Sequence, residues 1–362
     1  MAQLSPNSPP IGGRYQIESY LGAGGMQNVY VALDNLFQRR VALKVPKDGA
    51  TITRFQNSAV VSARMNHANV AKTLDYVEDS TGFYLIEELV IGCDLSQMIP
   101  VPLPYLPPSA CAKVFHQLAK GLSASHQAGV VHRDLKPSNI MVVGGVALDA
   151  IKITDFGIAK MAEAEIGQIA DVAKGGSTSS KTVLGAIPYM APESITDFKT
   201  ASYASDVWAI AAITYELLAG AKPYGGGLVS IAAILQANAP KKPAHISVPQ
   251  FRGLGEELFA VIQLCLSKDP SNRPTAEDVV SALEQLCYRA SNYELGTIEA
   301  FHPKFAKVGF VDPDSGKDVM YHKDSFYGDS NVAIGDRVWF SRDPGVGKDR
   351  AMPLVRLAAN GS

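Results

Sequence analysis

The sequence predicts an α+β chain of three successive units: a β-rich start, a helical middle and a small all-β end. Three observations carry that prediction. Early runs such as "YQIESYLGAGGMQNVYVALD" and "RRVALKVPK" are rich in Val, Ile and Tyr and are punctuated by Gly, the pattern of short strands and tight turns. From about Pro108 apolar residues recur at three- and four-residue steps instead, the helical period. After Tyr288 short alternating segments return between Gly, Asp and Pro turns. A length of 362 residues also exceeds what one hydrophobic core usually serves.

Each element follows from its own residues. "PVPLPYLPP" is a proline-rich connector, expected to be extended or turn-like. "SACAKVFHQLAKGLSASHQAG" reads as a helix stopped by Gly129. "SDVWAIAAITYELLAG" is apolar all round yet too short for a membrane span, and it is bounded by Asp206 and Gly220, so it reads as a buried core helix. The helical unit is expected to end near Tyr288. From "YELGTIEAF" to "MPLVRLAAN" the spacing predicts a small all-β domain. No internal repeat interrupts this order.

Composition excludes several classes. Hydrophobic residues make up 47% and charged residues 19%, ordinary globular values, and no segment is both charge-free and long enough to span a bilayer. "MAQLSPNSPP" lacks a basic region followed by an apolar core, so residues 1–13 read as a disordered lead and not as a signal peptide. Cys93, Cys111, Cys265 and Cys287 are far apart and form no CxxC pair, which argues against a zinc site or a disulfide framework and for a cytoplasmic setting. A net charge of −2 rules out a strongly basic nucleic-acid binder.

The chemistry concentrates in "VHRDLKPSNIMVV" and, downstream, "IKITDFGIAK". Asp134, Asn139 and Asp155, with Lys44 of "VALK", resemble the protein kinase signature. Moving a γ-phosphoryl group needs its charge neutralised and an acceptor hydroxyl held in line, with little covalent help from the protein. The resemblance runs from about Tyr15 to Tyr288 and includes "GAIPYMAPE" with Glu193, "SDVWA" with Asp206, and "NRPTAEDV" with Arg273, which in the family pairs with that glutamate. It implies a bilobal protein kinase fold, with a β-rich N-lobe at 14–90 and a helical C-lobe at 91–289. A linker at 290–295 and a small all-β domain at 296–358, expected to be an OB-type barrel on a resemblance of its own, would follow. It also implies ATP and Mg²⁺, with Mn²⁺ as a substitute, and protein substrates. Asp155 and Asn139 would hold metal, Asp134 would accept or orient the substrate hydroxyl, and Lys136, which marks serine/threonine kinases, would touch the transferring phosphate.

Nucleotide contacts follow from the same likeness. Gly22, Gly24 and Gly25 lie between a strand and "NVYVALD", where backbone amides can approach phosphates. Val29 and Ala42 would line the adenine, Lys44 would hold the α- and β-phosphates, and Glu88 to Val90 would form the hinge. The third family glycine is replaced by Gln27, a bulkier side chain expected to slow or gate nucleotide binding.

Three departures matter more. No acidic residue lies between Arg54 and His67, and Ser58 stands where the family's lysine-pairing glutamate usually sits. Glu87 takes the gatekeeper position, which is normally apolar, and a buried unpaired carboxylate there is costly or stays protonated. Either Glu87 pairs with Lys44 from the strand side, or the register slips by one and it faces solvent. Finally, Ala186 replaces the threonine that in the family steadies the catalytic aspartate and nearby lysine, a loss worth ~1 kcal/mol or more. Arg133 before Asp134 implies regulation by phosphate on the activation segment, with Thr178, Ser179, Ser180 and Thr182 as candidate sites.

From Gly296 to Leu357 the chain resembles a cold-shock domain, on strand order and turn glycines. The family's base-stacking platform is mostly gone: its positions hold Glu299, Ala300, Val308, Met320 and Lys323, leaving Phe310 and His322 as the remaining candidate nucleic-acid contacts. Acidic and basic residues nearly balance there, so a protein-binding or autoregulatory module is the preferred reading over nucleic acid. "DPGVGKD" reads as a hairpin turn, and His116, His126 and His245 form no ligand cluster. The reading is a serine/threonine protein kinase, set against an ATP-binding pseudokinase scaffold and a nucleic-acid-responsive kinase. Oligomeric state is not readable from the residues.

Overall fold

Strand alternation decides what faces the cleft. A computed structural model describes residues 4–23, 27–47, 52–98, 103–156, 181–289 and 291–358. Its first unit is an antiparallel sheet of β1 (Tyr15–Ala23), β2 (Gln27–Asp34), β3 (Arg39–Pro46), β4 (Thr73–Asp79) and β5 (Gly82–Glu88), in the order β1-β2-β3-β5-β4. Val41, Leu43 and Val45 of β3 pack with Tyr30, Ala32, Tyr84 and Ile86 in the lobe's own core. The alternate residues, Ala42 and Lys44 of β3 and Leu85 and Glu87 of β5, therefore share the other face. Helix α1 (Ile52–Ser62) covers part of that face through Phe55 and Ala59, which contact Leu85.

The helical unit comprises α2 (Pro108–Gln127), α3 (Lys181–Ala186), α4 (Pro192–Thr196), α5 (Tyr203–Ala219), α6 (Ser230–Gln236), α7 (Pro249–Cys265) and α8 (Ala276–Gln285). Its sheet of β6 (Gly92–Asp94), β7 (Ile140–Val143) and β8 (Ala150–Ile153) lies beside α2. Helix α5 is the apolar segment expected to be buried, and Val207 to Tyr215 are all shielded from solvent. A Ser202/Ser205 capping box starts it, and Gly220, in the left-handed conformation at φ 71°, ends it against the carbonyl of Pro104. Trp208 stacks on Tyr224 at 5.5 Å, and the Arg273 guanidinium lies 4.9 Å above the Trp208 ring. Among the described residues, no helix is long and apolar enough to cross a membrane.

The last unit is a closed barrel of β9 (Tyr293–Phe301), β10 (Val308–Pro313), β11 (Val319–His322), β12 (Arg337–Asp343) and β13 (Arg350–Arg356), ordered β10-β11-β13-β12-β9. The β11–β13 contact is parallel and the remaining pairs are antiparallel. Ile298, Val311, Val319, Tyr321, Val338, Phe340 and Leu354 fill the interior. "DPGVGKD" joins β12 to β13, as a hairpin connection should.

Strand β9 begins at Tyr293, within residues 290–295, and the barrel packs against the helical unit. Between Val338 and Phe340, which face the barrel interior, Trp339 points the other way; it joins the core of the helical unit, stacks on Tyr293 at 4.0 Å and donates Nε1–H to the Val146 carbonyl at 2.7 Å. Tyr327 donates to the Leu218 carbonyl at 3.0 Å and meets Tyr105, His245 and Phe251 edge-on. Tyr105 in turn accepts from the amide of Asp329 at 2.9 Å, and any side chain at Gly328 would collide with its ring. The period-2 reading identified the strands, but one strand serving two cores is not visible in a single alternating pattern.

Candidate active site

Lys44 lies on the face shared by β3 and β5. Ala42 pairs with Glu87 and Lys44 with Leu85 across the ladder, so Lys44 and Glu87 are diagonal neighbours on one face, within reach of long side chains. The Lys44 ammonium contacts Glu87 Oε2 directly and also donates to Asp155 Oδ1 at 2.6 Å. Lys44 and Glu87 are each 5% exposed, so Glu87 does not face solvent. Of the two alternatives for Glu87, the structure has the ion pair from the strand side. Helix α1, where the sequence has no acidic residue, lies on the same sheet face, and its Ser62 Oγ donates to the Phe156 carbonyl at 2.9 Å. Ser58 lies within α1.

One ammonium between two carboxylates sets their protonation apart. Burial works against the charge on Lys44, but Asp155 and then Glu87 overcome it and raise its pKa. For Glu87 burial is the stronger influence, so its carboxyl is raised despite Lys44. Burial pushes Asp155 upward too, yet Lys44, with help from Gln27, holds it below the ordinary aspartate value. Asp155 is thus the standing anion of the group, and Glu87 is the member that takes a proton more readily.

The loop before β7 forms the second cluster. Helix α5 anchors it: the carboxylate of Asp206 accepts the backbone amides of His132 at 2.8 Å and Arg133 at 2.9 Å, and contacts His126 Nε2 at 3.1 Å. Arg133 itself adopts a left-handed φ of 71°. The sequence marked Asp206 only as a helix boundary and a motif residue; the signal for its anchoring role was an aspartate in the first turn of an otherwise apolar helix. Lys136 Nζ donates to Asp134 Oδ2 at 2.7 Å, while Asn139 Nδ2 donates to the Asp134 carbonyl at 2.8 Å and to its Oδ2 at 3.2 Å. Thr154 N donates to the Asn139 carbonyl at 2.9 Å, which ties this cluster to Asp155 next in chain. His132 Nε2 lies 2.9 Å from the Thr154 carbonyl, and its ring packs edge-on to Phe156 at 4.6 Å. Asp155 has φ 62°, a left-handed backbone that turns its carboxylate toward Lys44.

The remaining expected residues fall as follows. Gly22 is in β1, and Val29 on β2 pairs with Lys44. Ala42 is buried; Glu88 and Val90 end β5 and begin the following stretch, with Glu88 Oε2 taking Lys152 Nζ at 3.0 Å. Gly24, Gly25, Thr178, Ser179 and Ser180 lie outside the described residues. Thr182 is within α3. Ala186 lines a small cavity of about 20 Å³ together with Arg133, Asp134 and Ser194. Arg133 Nε and Ser194 Oγ are buried there with no hydrogen-bond partner among the described residues. Glu193 and Arg273 form the two-pronged pair the resemblance implied, at 2.7 and 2.8 Å. In the barrel, Phe310 lies in register between Ala300 and Met320, with the Lys348 ammonium 4.7 Å above its ring, and His322 Nδ1 accepts from the amide of Asp324.

Comparison with known proteins agrees with this geometry. Residues 15–283 match the sequence model of the protein kinase domain. The chain is 34% identical over 278 residues to the serine/threonine-protein kinase PrkC of Bacillus subtilis, covering 74% of this chain and 40% of that protein. It is 31% identical over 313 residues to PkaA of Streptomyces coelicolor, covering 80% and 54%, and 32% identical over 275 residues to PknB of Mycobacterium leprae, covering 73% and 41%. Both of these are likewise named serine/threonine-protein kinases. The chain thus spans about half the length of these curated relatives or somewhat less.

Proposed function

The chain belongs to the protein kinase family, and from that premise we propose that it transfers the γ-phosphoryl group of ATP to serine or threonine hydroxyls of protein substrates. The observation that carries this reading is the convergence of Lys44 and Asp155 on one side of Thr154 and of Asp134, Lys136 and Asn139 on the other. Asp134 orients the acceptor hydroxyl and takes its proton as the phosphorus–oxygen bond to ADP breaks and the new ester forms. Lys136, 2.7 Å from Asp134, faces the same reacting centre and neutralises charge on the moving phosphoryl. Lys44 holds the α- and β-phosphates, and Glu87 replaces the missing helix glutamate as the group that positions it.

The donors present fit Mg²⁺. Asp155 offers a carboxylate and Asn139 an amide oxygen, hard ligands of the kind Mg²⁺ prefers. A cation of this kind is held by few protein oxygens together with substrate phosphates. Bound there, Mg²⁺ would neutralise the β- and γ-phosphates; Mn²⁺ suits the same donors.

The test is incorporation of labelled phosphate from Mg·ATP into the protein and a generic basic substrate, beside an Asp134→Asn control. Incorporation that vanishes in the control supports the reading. ATP binding without turnover supports a scaffold instead, a second reading favoured by Ala186 beside Asp134. Phosphate on Thr178, Ser179, Ser180 or Thr182 would meet Arg133, whose Nε lacks a partner among the described residues, and regulate the site. Mass spectrometry after incubation with Mg·ATP reads this directly, and no modified residue between Asp155 and Glu193 would count against it.

The barrel is best read as an OB-type module of the cold-shock kind, on its five-stranded order and parallel β11–β13 closure. Its docking through Trp339 and Tyr327 supports an autoregulatory or partner-binding role over nucleic-acid recognition, since Phe310 is flanked by Ala300 and Met320 where further stacking rings would be needed.

A further inference from the structure

At the start of β2, where the family carries a glycine, Gln27 crosses the cleft. Its Nε2 donates to Asp155 Oδ1 at 2.9 Å, the same oxygen that receives the Lys44 ammonium at 2.6 Å. Gln27 is 5% exposed, and its Oε1 is shut away from solvent without a hydrogen-bond partner among the described residues. A buried amide normally satisfies both ends, because an unpaired acceptor carries a desolvation cost. Here the donor end is satisfied by the one carboxylate that the kinase reading assigns to the metal, and the acceptor end has no partner among the described residues. Glycine at this place could make no such link.

We propose that Gln27 is a latch on the metal-binding carboxylate: it occupies Asp155 Oδ1, and it must let go before that oxygen can take a cation. The proposal rests on the reading of Asp155 as a metal ligand. It adds a residue that sets how tightly metal and nucleotide are held, independently of the phosphoryl-transfer step. Gln27 opens the strand whose Val29 pairs with Lys44, the residue proposed to hold the phosphates, so releasing the carboxylate and admitting nucleotide become one event. Metal and nucleotide then bind with positive coupling, each removing part of the cost of the other. A hydrogen bond to a charged acceptor is worth about a tenfold change in an equilibrium constant, or somewhat more. The latch is therefore expected to weaken metal binding by about tenfold relative to a chain that lacks it.

The experiment is Mn²⁺ titration of the full chain, followed by electron paramagnetic resonance, with and without a non-hydrolysable ATP analogue. Wild type is compared with Gln27→Met, which keeps the volume but not the donor, and with Gln27→Gly, which restores the family residue. Both variants are expected to bind Mn²⁺ about tenfold tighter, and to show less coupling between metal and nucleotide. Unchanged affinity in Gln27→Met overturns the latch, even if Gln27→Gly binds tighter, because the gain would then come from backbone freedom. Weaker binding in Gln27→Met overturns it in favour of Gln27 as a metal ligand through Oε1. Should Gln27→Met fail to fold, Gln27→Leu supplies the donor-free comparison. Nucleotide binding with no bound Mn²⁺ in any form would refute the metal-site reading itself, and the latch with it.

Discussion

Replacing Glu87 with Gln separates the stability of the Lys44 group from its use. At ~4 Å and an effective dielectric near 20, two opposite charges attract by about 4 kcal/mol. Lys44 and Glu87 are in direct contact, but each side chain is only 6% exposed, and removing both from water offsets most of that attraction. The raised pKa of Glu87 gives the sign: burial outweighs Lys44. Glu87→Gln removes one charge and leaves Lys44 paired with Asp155 at 2.6 Å, so no buried charge is orphaned. At neutral pH the variant is therefore expected to unfold within ~1 kcal/mol of wild type, or to be more stable. Activity is expected to behave differently. On the proposed role of Asp155 as a metal ligand, Glu87 is the carboxylate left to hold Lys44, and losing a charged hydrogen bond of about 1.5–3 kcal/mol should lower kcat/KM by about tenfold to a hundredfold.

The pH dependence checks the same logic. A raised pKa means that the folded state binds the extra proton, so wild-type stability falls as pH rises from 4.5, the ordinary glutamate value, through the raised value of Glu87. The stability advantage of Glu87→Gln should grow across that window and be absent below it. The assays are urea unfolding at several pH values and phosphoryl transfer at saturating Mg·ATP and below. A stability loss of about 3 kcal/mol with unchanged kcat/KM would refute the reasoning, since Glu87 would then be a structural ion pair with no part in positioning Lys44.

Three further outcomes are expected. Ala186→Thr should raise kcat severalfold, because it returns a hydroxyl to the small cavity shared with Asp134; a lower kcat with unchanged folding would show that the cavity cannot take the side chain. Trp339→Ala should destabilise the chain by about 3–5 kcal/mol, and the lost bond to Val146 at 2.7 Å adds ~1 kcal/mol. Urea unfolding followed by Trp208 fluorescence checks this, since Trp208 lies in the helical unit and should report the loss only if barrel and helices unfold together. Arg273→Met leaves the half-buried Glu193 carboxylate without its partner and should cost about 3–5 kcal/mol at neutral pH. Because burial raises Glu193 but Arg273 more than compensates and holds its pKa below 4.5, that wild-type contribution should fade as pH drops below the ordinary glutamate value.

Local chemistry was legible from the residues alone. The run "RRVALKVPK" read as a strand carrying Lys44, and the apolar run bounded by Asp206 and Gly220 read as a buried helix. The density of His132, Arg133, Asp134, Lys136 and Asn139 marked the loop where the site lies, and the missing acid in α1 announced that Lys44 needed another partner. These are short-range facts, because side-chain period and turn chemistry are written within a few residues. What the fold alone decided were contacts across the chain. Whether Glu87 faced Lys44 or solvent turned on a one-residue register, which the ladder between β3 and β5 fixes. That Gln27 meets Asp155 depends on a contact between residues 128 positions apart in sequence, one in each unit. The barrel's docking rests on Trp339 and Tyr327, whose strand and turn read as ordinary barrel sequence, and on Tyr105, whose connector gave no sign of a partner. An alternating pattern shows which side chains are buried, but burial against one's own barrel and burial against a neighbouring unit leave the same mark in sequence, and only the tertiary structure tells them apart.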